Sequence, residues 1–176
     1  MRILLVYGTT EGQTRKIAEF CSTRLTEAGH EVEMRDSRRR MVDLDMPSFD
    51  AVILAGSVHQ KQHQETLQNF AVAHRKQLKA IPTMLLSVSL SIAFENGEAE
   101  AARYVDGFVE DTGLKPDFVE LVAGALKFDQ YDYFMNQIVE HIVLENREPI
   151  TEDREFTDWD ALGKAVDAFT GSVADR

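Results

Sequence analysis

Cysteine is almost absent: Cys21 stands alone among 176 residues, which excludes an internal disulfide and a thiolate metal cluster. It falls at an apolar position of a helical pattern, the setting of a buried, inert thiol. Long hydrophobic runs are missing too. No stretch approaches the roughly 18 uninterrupted apolar residues of a membrane span. Residues 2–7 form a strand-length run leading straight into a loop, unlike a signal peptide, so the expected compartment is the cytoplasm. Positive charge is scarce: 30 Asp and Glu against 19 Lys and Arg leave a formal charge of −11. That balance argues against non-specific binding to nucleic acid or anionic lipid.

Several motifs are also lacking. There is no G-x-G-x-x-G spacing, no G-x-S-x-G elbow, no Walker lysine and no metal-ligand cluster. Phosphoacceptor signalling needs an acidic cluster after the first strand and an aspartate closing the third; Gly8-Thr9 and Gly56-Ser57 stand there instead. No metal is therefore expected. With 44% hydrophobic and 28% charged residues, and no repeat, low-complexity tract or linker, the chain reads as one soluble domain over residues 1–176.

What is present is an alternation of strands and helices. Ile3 to Tyr7 forms the first strand, Val32 to Arg35 a weakly alternating second. Ala51 to Ala55 and Thr83 to Val88 are continuous apolar runs, the pattern of strands buried on both faces. Phe118 to Ala123 is the fifth strand. Helical periodicity covers about Gln13 to Ala28, Glu65 to Leu78, Glu98 to Thr112 and Trp159 to Phe169, with Asp158 as N-cap of the last and Thr157 competing. This alternation predicts a doubly wound five-stranded parallel sheet in the order 2-1-3-4-5, with strands 1 and 3 flanking the switch point. Residues 124–155 are an insertion between strand 5 and the last helix, and Asp36 to Pro47 is a second long connection.

Ligands of such a sheet meet loops at the carboxyl ends of its strands. After strand 1 comes Gly8-Thr9-Thr10-Glu11-Gly12-Gln13-Thr14, leading into a helix. The opening turn of a helix leaves N–H donors unpaired and favours negative charge. Thr9, Thr10 and Thr14 add hydroxyls, and Gly12 allows close backbone approach, so a phosphate is expected there. After strand 3 comes Ser57-Val58-His59-Gln60, after strand 4 Ser89-Leu90-Ser91, and after strand 5 Gly124-Ala125-Leu126. These mix small residues with apolar ones able to cover a flat ring. A planar heterocycle bearing one phosphate matches them, and flavin mononucleotide (FMN) is the natural candidate.

Thr9 to Thr14 resembles the phosphate loop of flavodoxins. Gly12 to Ala18, Ser87 to Leu90, Ala123 to Phe128, Tyr131 to Met135 and Glu155 to Trp159 carry the resemblance further. Together they are similar to the menaquinone-dependent protoporphyrinogen IX dehydrogenases, long-chain flavodoxin-like enzymes of haem synthesis. The resemblance implies non-covalent FMN, its phosphate on Thr9 to Thr14 and its ring between the loops beginning at Ser57 and Ser89, with Gly124 to Leu126 nearby. It implies a porphyrinogen as small-molecule donor and a quinone as acceptor, the flavin carrying the chemistry. A flavodoxin-type electron carrier, docking basic redox partners through its acidic surface, is the alternative.

The chain departs from this pattern in places. Flavodoxins usually have threonine where Glu11 stands; a carboxylate beside a phosphate is unfavourable, so Glu11 is expected to point outward. Gln60-Lys61 replaces a tyrosine and a glycine, so a ring-stacking aromatic is missing. His59 or His63 could take its place and tune the flavin, because histidine titrates near neutrality; exposed loop residues are the alternative. The insertion is acidic, with Asp129, Asp132, Glu140, Glu145, Glu148, Glu152, Asp153 and Glu155, which disfavours peripheral contact with anionic lipid and weakens the match to a propionate-bearing donor. Tyr131, Phe134, Met135, Ile138, Val139, Ile142 and Val143 recur at helical spacing. That face would pack on the domain or on a second subunit, or form a lid or quinone groove. Arg38-Arg39-Arg40 reads as a solvated loop rather than a 2′-phosphate site.

Overall fold

The apolar runs and periodic stretches become, in chain order, β1 (Arg2–Gly8), α1 (Gln13–Glu27), β2 (Glu31–Asp36), β3 (Ala51–His59), β4 (Gln62–His63), α2 (Glu65–Ala73), α3 (Arg75–Leu78), β5 (Thr83–Ser89), α4 (Gly97–Thr112), β6 (Phe118–Ala123), β7 (Ala125–Leu126), β8 (Arg154–Glu155) and α5 (Trp159–Ala174). The structure is a computed structural model and describes residues 1–41, 44–126 and 153–175. The insertion helix expected over residues 131–145, with Lys127 and Phe128, lies outside the described residues.

The five long strands are parallel, in the order β2-β1-β3-β5-β6, and β4 pairs antiparallel to β3 off that path. This is the order expected from the sequence once the two-residue β4 is set aside. Alternation along β1 divides the core between the two faces of the sheet. Ile3, Leu5 and Tyr7 pack with Ile17, Ala18, Cys21 and Leu25 of α1 and Leu162, Val166 and Phe169 of α5. Leu4 and Val6 pack on the other face with Leu67, Phe70 and Ala71 of α2 and Phe108 of α4. Phe108 and Phe169 are almost wholly buried, and each contributes about 1.5–3 kcal/mol of hydrophobic stabilisation. Cys21 is in this core, its thiol pushed up to about 12 by burial, and is inert at neutral pH.

The weak alternation of β2 reflects its place at the edge, where Glu31, Glu33 and Arg35 discourage pairing with another strand. The helix expected over residues 65–78 is broken at His74, whose backbone opens to φ −105° while its ring packs on Phe70 at 4.6 Å. The last helix runs past Phe169 to Ala174, its final turn held by Val173 packing against the core, while Thr170 and Ser172 satisfy their hydroxyls on helix carbonyls. Arg24 of α1 clasps Asp167 of α5 through two hydrogen bonds of 2.8 and 2.6 Å.

Asp158 is the N-cap of α5, its Oδ1 accepting from the Ala161 N–H at 2.9 Å. Thr157 does something else: its hydroxyl donates to the Ala123 carbonyl at 2.7 Å and accepts from Gln13 Nε2 at 2.9 Å, tying α1 to the end of β6. Asp158→Ala is expected to cost about 1 kcal/mol, read as a lower urea midpoint with an unchanged slope.

Candidate functional site

The sheet register brings the candidate residues to one end. Gly8 is level with Gly56, Ser57 with Val88, and Ser89 with Ala123, so the loops leaving β1, β3, β5 and β6 emerge side by side. They border a cleft that is open to solvent, about 560 Å³ counting that open space.

The first wall is the β1–α1 loop. Gly12 adopts φ 92° at the N-cap, a left-handed turn that any side chain would strain. Its N–H donates to Thr9 Oγ1 at 3.0 Å, closing the loop. Lys16 makes the first bond into the helix, to the Gly12 carbonyl. The N–H groups of Gln13, Thr14 and Arg15 therefore precede any intrahelical partner and form the positive end of α1. Thr14 is 1% exposed, and its hydroxyl has no hydrogen-bond partner among the described residues. Gln64 Nε2 donates to the Thr10 hydroxyl, bracing the loop from the opposite side. Thr9, Thr10, Glu11, Gln13 and Thr14 line the cleft. Gly12 does not; its contribution is the turn.

Glu11 does not point outward as expected. Its side chain is 12% exposed and lines the cleft, with Oε1 3.9 Å from His59 Nδ1. The imidazole of His59 faces that carboxylate, and partial burial favours its neutral form.

The second wall corrects the loop expected after strand 3. β3 continues through Ser57, Val58 and His59, turns at Gln60-Lys61 and returns as β4, with Val58 opposite His63 and His59 opposite Gln62. Both turn residues have positive φ, 50° and 66°, the geometry of a two-residue hairpin turn that usually takes Asn-Gly. Two non-glycine residues there cost roughly 1–2 kcal/mol each. The reversal carries His63 out of the site. It is buried in the core, Nε2 3.0 Å from Ser87 Oγ and its ring edge-on to Phe108, and burial pushes it down to about 4 against an opposing contact with the Tyr104 backbone. His59 lines the cleft instead, its pKa lowered by partial burial. Ser57, Val58 and Gln60 line it as well, and the Ser57 hydroxyl is a second buried group with no partner among the described residues.

The third wall is the end of β5. Ser89, Leu90 and Ser91 line the cleft, and the buried Ser89 hydroxyl is the third without a partner among the described residues. Ser91 is held from behind: its hydroxyl donates to Glu100 Oε2 at 3.1 Å and lies 3.2 Å from the Tyr104 hydroxyl. A Cβ on Gly97 would stand 1.6 Å from the Ser91 carbonyl oxygen, so only glycine permits this packing. After β6, the Gly124 N–H donates to the Ser89 carbonyl at 3.1 Å, and Gly124 and Ala125 complete the lining. Leu126 is 1% exposed, turned into the interior where β7 pairs with β8, and does not line the cleft.

Three lining residues escaped the sequence reading: Lys61, Val88 and Tyr104. Tyr104 lies on α4 one turn before Phe108, a spacing that reads as core face; only the packing of α4 under Ser91 brings its ring to the cleft. Its hydroxyl is pushed up to about 12, mainly by burial. Arg38 is engaged locally, pairing with Asp36 at 2.7 Å. Among the described residues no three His, Cys, Asp or Glu side chains gather as a metal-holding group, and no helix is long and apolar enough to cross a membrane.

The chain is similar to known proteins along most of its length. The family described as Flavodoxin domain matches residues 4–152. Protoporphyrinogen IX dehydrogenase (quinone) of Escherichia coli (strain K12) is 24% identical over 166 residues, 92% of this chain and 91% of that protein. A protein of the same name from Leishmania major is 23% identical over 175 residues, covering 96% of this chain and 74% of its own length. Among solved structures, a short-chain flavodoxin associated with a non-canonical PDU bacterial microcompartment superposes with a TM-score of 0.61 at 13% identity, covering 98% of this chain and 99% of that one. That likeness is one of fold. The parallel sheet, the anion-ready start of α1 and the match over residues 4–152 agree, and the chain belongs to the Flavodoxin domain family.

Proposed function

We propose that this protein is an FMN-dependent oxidoreductase that oxidises a small porphyrinogen-class donor and passes the electrons to a quinone. One observation carries the cofactor. Three buried hydroxyls, Thr14 in the first turn of α1, Ser57 near the end of β3 and Ser89 at the end of β5, border one cleft without partners among the described residues. A buried hydroxyl left unpaired costs about 1–3 kcal/mol, a cost that a bound polar ligand relieves. The N–H groups of Gln13, Thr14 and Arg15, with the hydroxyls of Thr9, Thr10 and Thr14, hold the phosphate. Ser57 and Ser89 supply hydrogen bonds to the polar edge of the ring. Val58, Leu90 and Ala125 offer it apolar cover, and Gly124 lets the backbone come close. His59, Gln60 and Ser91 complete the polar rim.

When bound, the flavin supplies the redox chemistry; the protein's share is binding, orientation and exclusion of water. Donor and acceptor rest on relatives named for protoporphyrinogen IX and quinone, aligned over nearly the whole chain. The formal charge of −11 favours a second reading, an electron carrier that docks basic proteins.

A spectroscopic titration separates the readings. The purified protein binds FMN and quenches its fluorescence, protoporphyrinogen IX bleaches the bound flavin without oxygen, and a menaquinone analogue restores the colour. Protein that ignores FMN has lost the cofactor. Flavin that responds only to protein donors belongs to a carrier.

A further inference from the structure

The hairpin turn at Gln60-Lys61 is strained, both residues having positive φ. Two consecutive non-glycine residues with positive φ persist only where their surroundings hold them. Here the hairpin is pinned from both sides: the Gln64 N–H donates to the Ser57 carbonyl at 3.1 Å, and His63 is buried against Ser87 and Phe108. The result holds the backbone of Lys61 beside the cleft, which its exposed side chain lines. Among the described residues that line the cleft, Lys61 is the one lysine or arginine, and it pairs with no carboxylate there. Arg2, Arg15, Lys16, Arg24 and Arg38, elsewhere on the surface, are each bonded to one. Glu11, the carboxylate among the described lining residues, lies nearest His59 in that wall, at 3.9 Å.

We propose that Lys61 anchors a carboxylate substituent of the electron donor, so that the cleft selects a donor carrying acidic side chains. This rests on the oxidoreductase reading and adds the feature of the donor that the cleft recognises. A chain of charge −11 repels an anionic donor at long range. A cation at the cleft offsets that repulsion where the donor must sit. The phosphate of FMN is provided for at the start of α1, so Lys61 remains available to a second anion.

The test uses FMN-loaded protein with Lys61→Gln, Lys61→Glu and Lys61→Arg. Protoporphyrinogen IX is compared with its dimethyl ester, the same ring without the charges. The expected result with Lys61→Gln is a KM about fivefold higher for the diacid, with kcat unchanged. Lys61→Glu raises it further, Lys61→Arg restores it, and the ester is indifferent to all three. Binding of protoporphyrin IX, read by fluorescence, shifts in parallel. An equal KM change for the ester reports turn shape rather than charge and overturns the proposal. So does an unchanged KM, or a loss of FMN affinity in Lys61→Gln. Wild-type protein that binds protoporphyrin IX in a Lys61-dependent way but turns over no porphyrinogen supports the anchor and overturns the donor assigned above.

Discussion

Thr14→Val leaves the ligand-free protein as stable as before, or slightly more so, and weakens FMN binding about 10- to 100-fold. The two halves of this result have one cause. In the ligand-free protein the Thr14 hydroxyl is buried without a partner among the described residues, so an isosteric methyl removes a desolvated polar group at no loss of packing. In the complex that hydroxyl bonds to a phosphate, and a hydrogen bond to a charged group is worth about 1.5–3 kcal/mol, which converts to the stated range of affinity. Glu11→Gln moves the other way, tightening FMN several-fold, because it removes a carboxylate from the wall that receives a phosphate. Fluorescence quenching gives both affinities and urea unfolding gives the stability. A Thr14→Val protein that binds FMN as tightly as the wild type would show that the phosphate lies elsewhere.

Acid destabilises this protein through His63, and His63→Gln removes that sensitivity. The folded-state pKa is lowered to about 4 from 6.5, chiefly because burial disfavours the charged ring. Above pH 6.5 the histidine is neutral in both states and contributes no pH dependence. Between 6.5 and 4 the unfolded chain takes up a proton that the folded protein refuses, so stability falls as pH falls. The full penalty, on the order of 3 kcal/mol, is reached near pH 4. Glutamine keeps a hydrogen-bonding group near Ser87 but does not titrate. The checking measurement is unfolding free energy from pH 7.5 to 4 for both proteins, the difference isolating His63 from carboxylates common to both. A constant difference over that window would mean that His63 is reached by solvent in the folded state.

The two predictions differ in how far they were legible beforehand. Thr14 could be named from the chain alone, because a strand, a short hydroxyl-bearing loop and a helix start already define an anion site. His63 could not. Four residues after His59, it reads as a neighbour on the same loop, and the turn at Gln60-Lys61 that sends it into the core carries none of the residues that normally announce a hairpin. The cost of a carboxylate near phosphate predicts an outward Glu11, whereas the packed loops turn it toward His59 in the cleft wall. Tyr104 was hidden because a helix face that touches both core and cleft has one periodicity.

The element types, their order and the sheet order followed from local chemistry: apolar runs buried on both faces, helical spacing, and the Asp158 cap. So did the loops that meet at the carboxyl edge, since parallel strands joined by right-handed crossovers all end on one side. Which way each side chain on those loops points was beyond local rules. That depends on contacts between residues far apart in the chain, such as Gln13 with Thr157, Ser91 with Tyr104 and Glu11 with His59, and these exist only once the elements have packed.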